Sequence, residues 1–215
     1  MSDQKEVKLG MLIDLSVCIG CNACAVACKM ENDVPLTCFN TWIETWDTQN
    51  EETGKVTRAN LPKLCNHCDN PSCVSVCPTG ASYVAEDGTV QVDKSRCIGC
   101  KYCMTACAYG VRYWDHHTGE VDKCSFCHHR TQYGMLPACV GTCVTKARIF
   151  GDLNDPESDI SKKLASANSS DVLLEGMNME PVVHYIGLKE TMGGKRVSSL
   201  QKGGNVLLHL EEGGN

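Results

Sequence analysis

The sequence has few aromatic residues and no long apolar run. Its 215 residues include 3 Trp, 6 Tyr and 3 Phe, which is little bulky apolar volume for a conventional core. No stretch reaches the roughly 18 consecutive apolar residues that a bilayer-spanning helix requires, so we expect any membrane contact to go through a partner. Residues 1–10 contain neither an apolar run nor paired arginines, and we expect no export signal in this chain.

Positive charge is also scarce. The 20 Lys and Arg residues are outnumbered by 26 Asp and Glu residues, which gives a formal net charge of −6. Without a basic patch, the composition argues against a nucleic-acid partner. A Ser-His-Asp set, a phosphate loop and a dinucleotide fingerprint are also missing from the sequence, and we therefore assign no catalytic residue to the chain.

Cysteine, by contrast, is abundant, with 17 residues. An odd count without an export signal argues against a disulfide scaffold and favours reduced thiolates that bind metal. Sixteen cysteines fall into four groups of four, each ending in C-x3-C. Group one is Cys18, Cys21, Cys24 and Cys28; group two is Cys65, Cys68, Cys73 and Cys77; group three is Cys97, Cys100, Cys103 and Cys107; group four is Cys124, Cys127, Cys139 and Cys143.

The spacing within these groups favours iron–sulfur clusters over zinc. Groups one and three have the C-x2-C-x2-C-x3-C spacing of bacterial ferredoxins, in which three cysteines bind one cluster and the fourth binds another. Four-cysteine zinc sites commonly separate two C-x2-C pairs by about 12 to 20 residues. Group four, with eleven residues between its second and third cysteines, is the most zinc-like, and a structural zinc scaffold stays open as an alternative.

Other candidate ligands have simpler interpretations. Cys38 lies outside the four groups, and we expect a small buried apolar side chain there. The pairs His116-His117 and His128-His129 are expected to be exposed. His67, inside group two, is placed to tune a cluster by hydrogen bonding.

An internal repeat indicates how the groups are organised. Residues 13–21 match residues 92–100 at an offset of 79 residues, and residues 83–92 predict a hairpin with a type I′ turn at Asp87-Gly88. We predict an α+β fold of two nested ferredoxin-like modules, each holding two [4Fe-4S] clusters. The inner module spans 62–116 with groups two and three, and the outer module spans 1–61 and 117–150 with groups one and four.

Two segments lie outside this scheme. The insertion 29–61 carries Trp42 and Trp46 and is interpreted as a surface hairpin or partner-facing arm. The C-terminal extension, 151–215, is expected to wrap around a partner or to be partly disordered. Within it we predict a helix that begins at Asp155-Pro156-Glu157 and a strand over 181–186. From Gly193 onward, three Gly-Gly pairs indicate a tail that has no core to join and stays mobile until a partner docks.

Taken together, the motifs resemble the four-cluster iron–sulfur subunit of molybdopterin oxidoreductases of the dimethyl sulfoxide reductase superfamily. The resemblance covers about residues 8 to 155 and is carried by the CIGC sequences at Cys18 and Cys97, by 64–68 with Pro71, and by 123–127. Residues 150–156 are closer to the subunits of polysulfide, thiosulfate and tetrathionate reductases than to those of formate dehydrogenase or nitrate reductase.

The resemblance implies that cysteine groups exchange their last ligand. The implied cluster ligands are Cys18, Cys21, Cys24 and Cys143; Cys124, Cys127, Cys139 and Cys28; Cys65, Cys68, Cys73 and Cys107; and Cys97, Cys100, Cys103 and Cys77. Because each oxidised cluster with four thiolates carries about −2, the loaded chain would carry about −14. We expect nearby cations to offset this charge, namely Lys29, Lys101, Arg112, Lys123 and Lys146.

The resemblance also implies partners and a location. The chain would pass electrons between a catalytic subunit with a molybdenum or tungsten bis-pterin and a quinone-reactive membrane subunit or a soluble carrier. The complex would belong to the cell envelope, with this chain exported folded on a signal-bearing partner; a cytoplasmic location is the alternative. A subunit of a hydrogenase or formate dehydrogenase, and a free polyferredoxin, remain open as alternative functions.

Overall fold

A computed structural model of the protein describes residues 6–50, 52–193 and 195–201, the last of these ranges by its backbone. The strands are β1 Leu9–Asp14, β2 Thr41–Gln49, β3 Val56–Leu64, β4 Ser82–Val84, β5 Val90–Val92, β6 Tyr113–Asp115, β7 Glu120–Asp122, β8 Arg148–Asp152, β9 Val183–Ile186 and β10 Lys195–Gln201. The helices are α1 Ala23–Glu31, α2 Ser72–Ser75, α3 Tyr102–Thr105, α4 His128–Thr131, α5 Ala138–Gly141, α6 Asp159–Ser166 and α7 Leu188–Met192. These short helices and small sheets confirm the predicted α+β class.

The sheet β8-β1-β9 joins the beginning of the described chain to its later part. Strand β1 pairs antiparallel with β8 and parallel with β9. Its residues Met11, Leu12 and Ile13 are fully buried, which explains why this strand is a continuous apolar run rather than an alternating one. Because β1 leads into group one and β8 follows group four, the sheet brings these two cysteine groups together.

The insertion forms the predicted hairpin, β2–β3, but its tryptophans do not face a partner. The two strands pair antiparallel along their whole length, from Thr41 opposite Leu64 to Gln49 opposite Val56. Trp42 and Trp46 are buried in the main core with Leu61. The prediction of a partner-facing arm is therefore wrong for Trp42 and Trp46. Their side chains instead supply apolar volume to a core that has few other aromatic residues.

The stretch that follows Gly193 also differs from expectation. Residues 195–201 form β10, which pairs antiparallel with β2, Lys195 opposite Gln49 and Ser199 opposite Trp46. The expectation that this stretch has nothing to join is corrected, because an edge strand offers unpaired backbone groups to an added strand. The remaining part of the predicted tail, 202–215, lies outside the described residues.

The strand, the helix and the hairpin predicted in the other segments are all present, but the start of the helix and the type of the hairpin turn differ from the predictions. The strand β9 lies within the predicted range 181–186. Helix α6 begins at Asp159 rather than at Asp155, and its N-cap is Ser158, whose Oγ accepts a hydrogen bond from the Ser161 N–H at 3.2 Å. The hairpin β4–β5 is present, but its turn is not type I′, since Gly88 (φ 77°) adopts positive φ and Asp87 does not.

In the described residues, no helix is long and apolar enough to cross a membrane.

Candidate metal centres

Group one shares a cavity with the last cysteine of group four. A small cavity is lined by Cys18, Cys21, Cys24 and Cys143, together with apolar residues that include Ile43 and Pro62. Cys18 and Cys21 lie in the loop after β1, Cys24 lies in α1, and Cys143 follows α5. Helix α1 packs against α5, and this contact places the fourth thiol opposite the other three.

Group three has the same arrangement with the last cysteine of group two. Cys97, Cys100, Cys103 and Cys77 line a second cavity of about the same size. Here α3 packs against α2. The two cavities therefore repeat one construction, as the offset of 79 residues in the sequence predicts.

The remaining eight cysteines form two further sets in the interior. Cys28, Cys124, Cys127 and Cys139 line a third small cavity. For the fourth set, burial and the neighbouring thiols of Cys65, Cys73 and Cys107 raise the pKa of Cys68 to about 12. Burial together with Cys65 and Cys73 also raises the pKa of Cys107. All four members of the last set therefore lie within electrostatic range of one another.

The cysteine sets suit a multi-iron cluster better than a single ion. In the described residues, no three Cys, His, Asp or Glu side chains converge closely enough to hold one metal ion. A zinc ion requires four ligand atoms at about 2.0 to 2.3 Å from one centre. In an iron–sulfur cluster each thiolate binds a different iron, so the ligands surround a volume, as they do in the cavities of this protein.

Glycine and left-handed residues shape the first loop of each repeat. Gly20 and Gly99 have φ of 69° and 67°, and a Cβ added at Gly99 would lie 2.6 Å from the Trp114 ring. Asn22 and Lys101, at equivalent positions, cap α1 and α3 with φ of 61° and 64°. Glycine adopts this conformation without steric cost, so each loop can fold tightly around its cavity.

Backbone N–H groups point at several of the sulfurs. The Ser82 N–H donates to Cys77 Sγ at 3.4 Å and the Phe126 N–H donates to Cys124 Sγ at 3.4 Å. Burial raises the pKa of Cys77, but hydrogen bonds from Ser82, Thr79 and Ala81 outweigh it and leave the pKa below its usual value. Such donors stabilise a thiolate and the cluster bound to it.

Two arginines lie beside the cysteines, and the sequence predicted only one of them. Arg112 was predicted, and its Nη2 donates to Cys73 Sγ at 3.0 Å. Arg148 was not predicted; it is buried and lines the cavity of Cys18 and Cys143. The signal that could have found it is position, since both arginines are the fifth residue after the last cysteine of a C-x3-C motif.

The predicted lysines have other contacts. Lys29 Nζ donates to the carbonyls of Pro35 (2.8 Å) and Leu36 (3.1 Å), and Lys101 Nζ lies 4.2 Å from the centre of the Trp114 ring. Lys123 is buried and donates to the Cys124 carbonyl at 2.8 Å. Lys146 lines a groove beside Arg148.

A second polar contact that the sequence did not reveal involves an asparagine. Asn32 follows α1, and its Nδ2 lies 3.5 Å from Cys28 Sγ and 3.6 Å from Cys127 Sγ. The contact with Cys127 spans 95 residues of sequence. Asn32 is therefore a hydrogen-bond donor to two thiols of one set.

His67 lies between the two interior cysteine sets. Its ring stacks on Phe126, of group four, with 3.7 Å between centroids. The Nδ1 atom accepts a hydrogen bond from the Val90 N–H at 3.1 Å, so the proton of the neutral ring resides on Nε2. Burial holds the pKa of His67 well below its usual value, and Nε2 has no hydrogen-bond partner in the described structure.

Cys38 and three of the four paired histidines agree with their simple interpretations, whereas His128, which was expected to be exposed, does not. Cys38 is buried with Val34 and Tyr113 in a small core cluster. His116, His117 and His129 are exposed, and His128 is half-buried. His129 Nε2 lies 2.8 Å from Glu31 Oε1.

Comparison with known proteins places this chain among 4Fe-4S proteins. A family model described as a 4Fe-4S dicluster domain matches residues 48–153. A tetrathionate reductase subunit of Salmonella typhimurium is 47% identical over 184 residues, which cover 85% of this chain and 74% of that protein.

Two further relatives have comparable coverage. A polysulfide reductase chain of Wolinella succinogenes is 45% identical over 160 residues, covering 74% of this chain and 84% of that protein. A putative dimethyl sulfoxide reductase iron–sulfur subunit of Halobacterium salinarum is 38% identical over 205 residues, covering 82% and 78%. The protein belongs to this family of iron–sulfur subunits, and the resemblance predicted from its motifs is confirmed.

Proposed function

We propose that the protein is an electron-transfer subunit that passes single electrons through four [4Fe-4S] clusters. One observation carries the proposal: three sets, each made of three cysteines from one group and one from another, line a common cavity, and the remaining four cysteines lie within electrostatic range of one another. Each cluster, when bound, accepts and releases one electron at a time. The ligands we assign are the four sets described above.

The chain's own residues hold these centres and control their surroundings. The sixteen thiolates bind the clusters. The N–H groups of residues such as Ser82 and Phe126 offset negative charge on sulfur. Apolar neighbours such as Ile43 exclude water. Low local polarity strengthens each of these electrostatic contacts. Paired sharing of the last cysteine supports the nested two-module arrangement, with inner module 62–116 and outer module 1–61 and 117–150.

Electrostatic contacts between sets support one linear order for the four sites. Each of three cysteines has its pKa raised by a cysteine of a neighbouring set. Cys24 raises the pKa of Cys139, Cys65 raises that of Cys124, and Cys73 raises that of Cys103. The order is therefore the Cys18 set, the Cys124 set, the Cys65 set and the Cys97 set. At the two ends of this row, Cys21 and Cys100 are exposed.

Exposed apolar residues surround both ends of the row. Ile19 is 63% exposed beside Cys21, and Ile98 is 67% exposed beside Cys100. We assign these ends to the two electron-exchange partners. A catalytic subunit with a molybdenum or tungsten bis-pterin would cover one end, and a quinone-reactive membrane subunit or soluble carrier would cover the other. We place the complex in the cell envelope.

Metal and sulfide analysis of the anaerobically purified full chain tests the proposal. We expect about sixteen iron and sixteen sulfide per chain, with a brown absorbance that dithionite bleaches. Four zinc ions and no colour would contradict the electron-transfer function. Eight irons would limit the function to two clusters, and full iron without a pterin-containing partner in the native complex would favour a free polyferredoxin.

A further inference from the structure

Arg112 is a buried cation shared by two cysteine sets. Arg112 is only 2% exposed. Its Nη2 donates hydrogen bonds to Cys73 Sγ at 3.0 Å and to Ser82 Oγ at 2.7 Å. Arg112 also lines the cavity of the Cys97 set, together with Cys103. Its Nη1 is buried without a hydrogen-bond partner in the described structure, so one donor is left over for a group in that cavity.

Arg148 occupies the corresponding place between the other two sets. It is 3% exposed, its Nη2 donates to Thr41 Oγ1 at 2.8 Å, and it lines the cavity of the Cys18 set. Thr41 also lines the cavity of the neighbouring Cys124 set, so this hydrogen bond places Arg148 beside that set as well. Each arginine thus contacts one set and borders the next.

Neither arginine has a carboxylate to neutralise it. Within the described ranges, every salt bridge involves other residues. The titratable neighbours of Arg112 are cysteines, and those of Arg148 are cysteines and Tyr185. A buried charge without a partner is costly, so these cations are expected to find their counter-charge in the cysteine sites.

We propose that Arg112 and Arg148 are fixed cations that set the reduction potentials of the clusters, each acting on the two clusters of one pair. A cluster becomes more negative by one charge when it is reduced, and a nearby cation in a low-dielectric interior stabilises the reduced form more than the oxidised form. A cation between two clusters also lowers the repulsion between electrons on both. Because a guanidinium stays protonated at all ordinary pH values, this contribution does not vary with pH.

The inference rests on the proposed electron-transfer function and is tested by redox titration of the full cluster-loaded chain, followed by electron paramagnetic resonance. Arg112→Gln removes one charge from the inner pair, and Arg148→Gln removes one from the outer pair. We expect each variant to shift two of the four potentials to more negative values and to leave the other two unchanged, with different clusters affected in the two variants. Arg112→Lys and Arg148→Lys retain the charge, and smaller shifts are expected for them.

Arg58→Gln is the matched control. Arg58 lies on the exposed hairpin and pairs with Asp47 at 3.1 Å, so its removal should shift none of the potentials. Unchanged potentials in Arg112→Gln with full iron would overturn the inference, as would an equal shift of all four. Loss of clusters from the Gln variants would assign the arginines to folding instead and would also overturn it. Failure of the proposed function has a different signature, a wild-type chain without reducible iron.

Discussion

At the scale of single residues, the glycine of each CIGC sequence is needed for two reasons. Its backbone has a positive φ, and its neighbours leave no room for a Cβ. We expect Gly99→Ala to destabilise the protein by about 1 to 3 kcal/mol and to lose the cluster of the Cys97 set. The added Cβ would be held at φ 67° and would collide with the Trp114 ring. Thermal unfolding and iron content measure the two effects.

Gly54→Ala is the control for backbone strain alone. Gly54 has nearly the same φ, 68°, but no heavy atom lies within 4 Å of its added Cβ. We expect some loss of stability in this variant and no loss of iron. Equal iron loss in both variants would mean that strain anywhere in the chain releases clusters.

Cys38 supplies a second prediction at this scale. Its side chain packs against Val34 and Tyr113 and belongs to none of the four cysteine sets. Cys38→Ala should therefore retain about sixteen irons, with a modest loss of stability from the small cavity created. Iron analysis decides, and a drop by four irons would make Cys38 a ligand.

The sequence revealed the candidate ligands but not all of their polar neighbours. Cysteine groups are visible because ligand spacing is a local property of the chain. Arg112 was found because it lies close to group three in the sequence. Asn32 approaches Cys127 across 95 residues, and only the packing of α1 against the later chain brings the two together.

Among the secondary-structure elements, α6 has a well-defined start. Ser158 caps the helix through its hydrogen bond with the Ser161 N–H, and Ser158→Ala should cost about 1 kcal/mol of stability. Ser166→Ala, near the end of the same helix, removes only an exposed hydrogen bond to the Lys163 carbonyl and should change stability by less than about 0.5 kcal/mol. Chemical denaturation of the two variants compares them directly, and equal losses would exclude the cap as the cause.

The start of α6 also shows why boundaries are hard to predict. Asp155 and Pro156 have the residue types of a cap and a first helical position. In the structure, Asp155 Oδ1 accepts a hydrogen bond from the Glu157 N–H at 2.9 Å and forms a turn before the helix. Two capping residues lie within four positions, and burial of Ile160 under β8 selects the later one.

Helices α2, α3, α4 and α5 are too short to be stable alone. Each has four residues, which is less than isolated helices need in water. Removing iron with a chelator under reducing conditions should therefore melt them, since cluster binding and folding are coupled. Hydrogen exchange should show lost protection there and retained protection in β2–β3, whose tryptophans pack in the core. Retained protection in the short helices would mean that packing alone holds them.

For the whole molecule, the sequence predicted the repeated cysteine loops better than the surrounding framework, and the pairing of the cysteine groups stays a prediction. The offset of 79 residues repeats in loop conformation as well as in residue type, because Gly20 matches Gly99 and Asn22 matches Lys101. The inward position of Trp42 and the addition of β10 to β2 were not foreseen, since both depend on long-range contacts that no local pattern encodes.

The last prediction tests ligand exchange, on which the nested arrangement depends. Cys100→Ser should convert one cluster to a three-iron form or lose it, and leave the other three intact. If Cys77 completes the Cys97 set, as their shared cavity favours, Cys77→Ser should affect the same cluster as Cys100→Ser. It should leave the cluster of Cys68, its own group, in place.

The reciprocal pair provides the matched comparison. Cys107→Ser should alter the same spectroscopic signal as Cys68→Ser, because Cys107 lies with Cys65 and Cys73 rather than with the rest of group three. Resonance spectra of the four variants, reduced stepwise, identify which signal each one loses. A pattern in which Cys77→Ser matches Cys68→Ser, and Cys107→Ser matches Cys100→Ser, would mean that each group binds its own cluster. In that case groups two and three of the inner module would be held together by packing of the protein alone and not by shared iron.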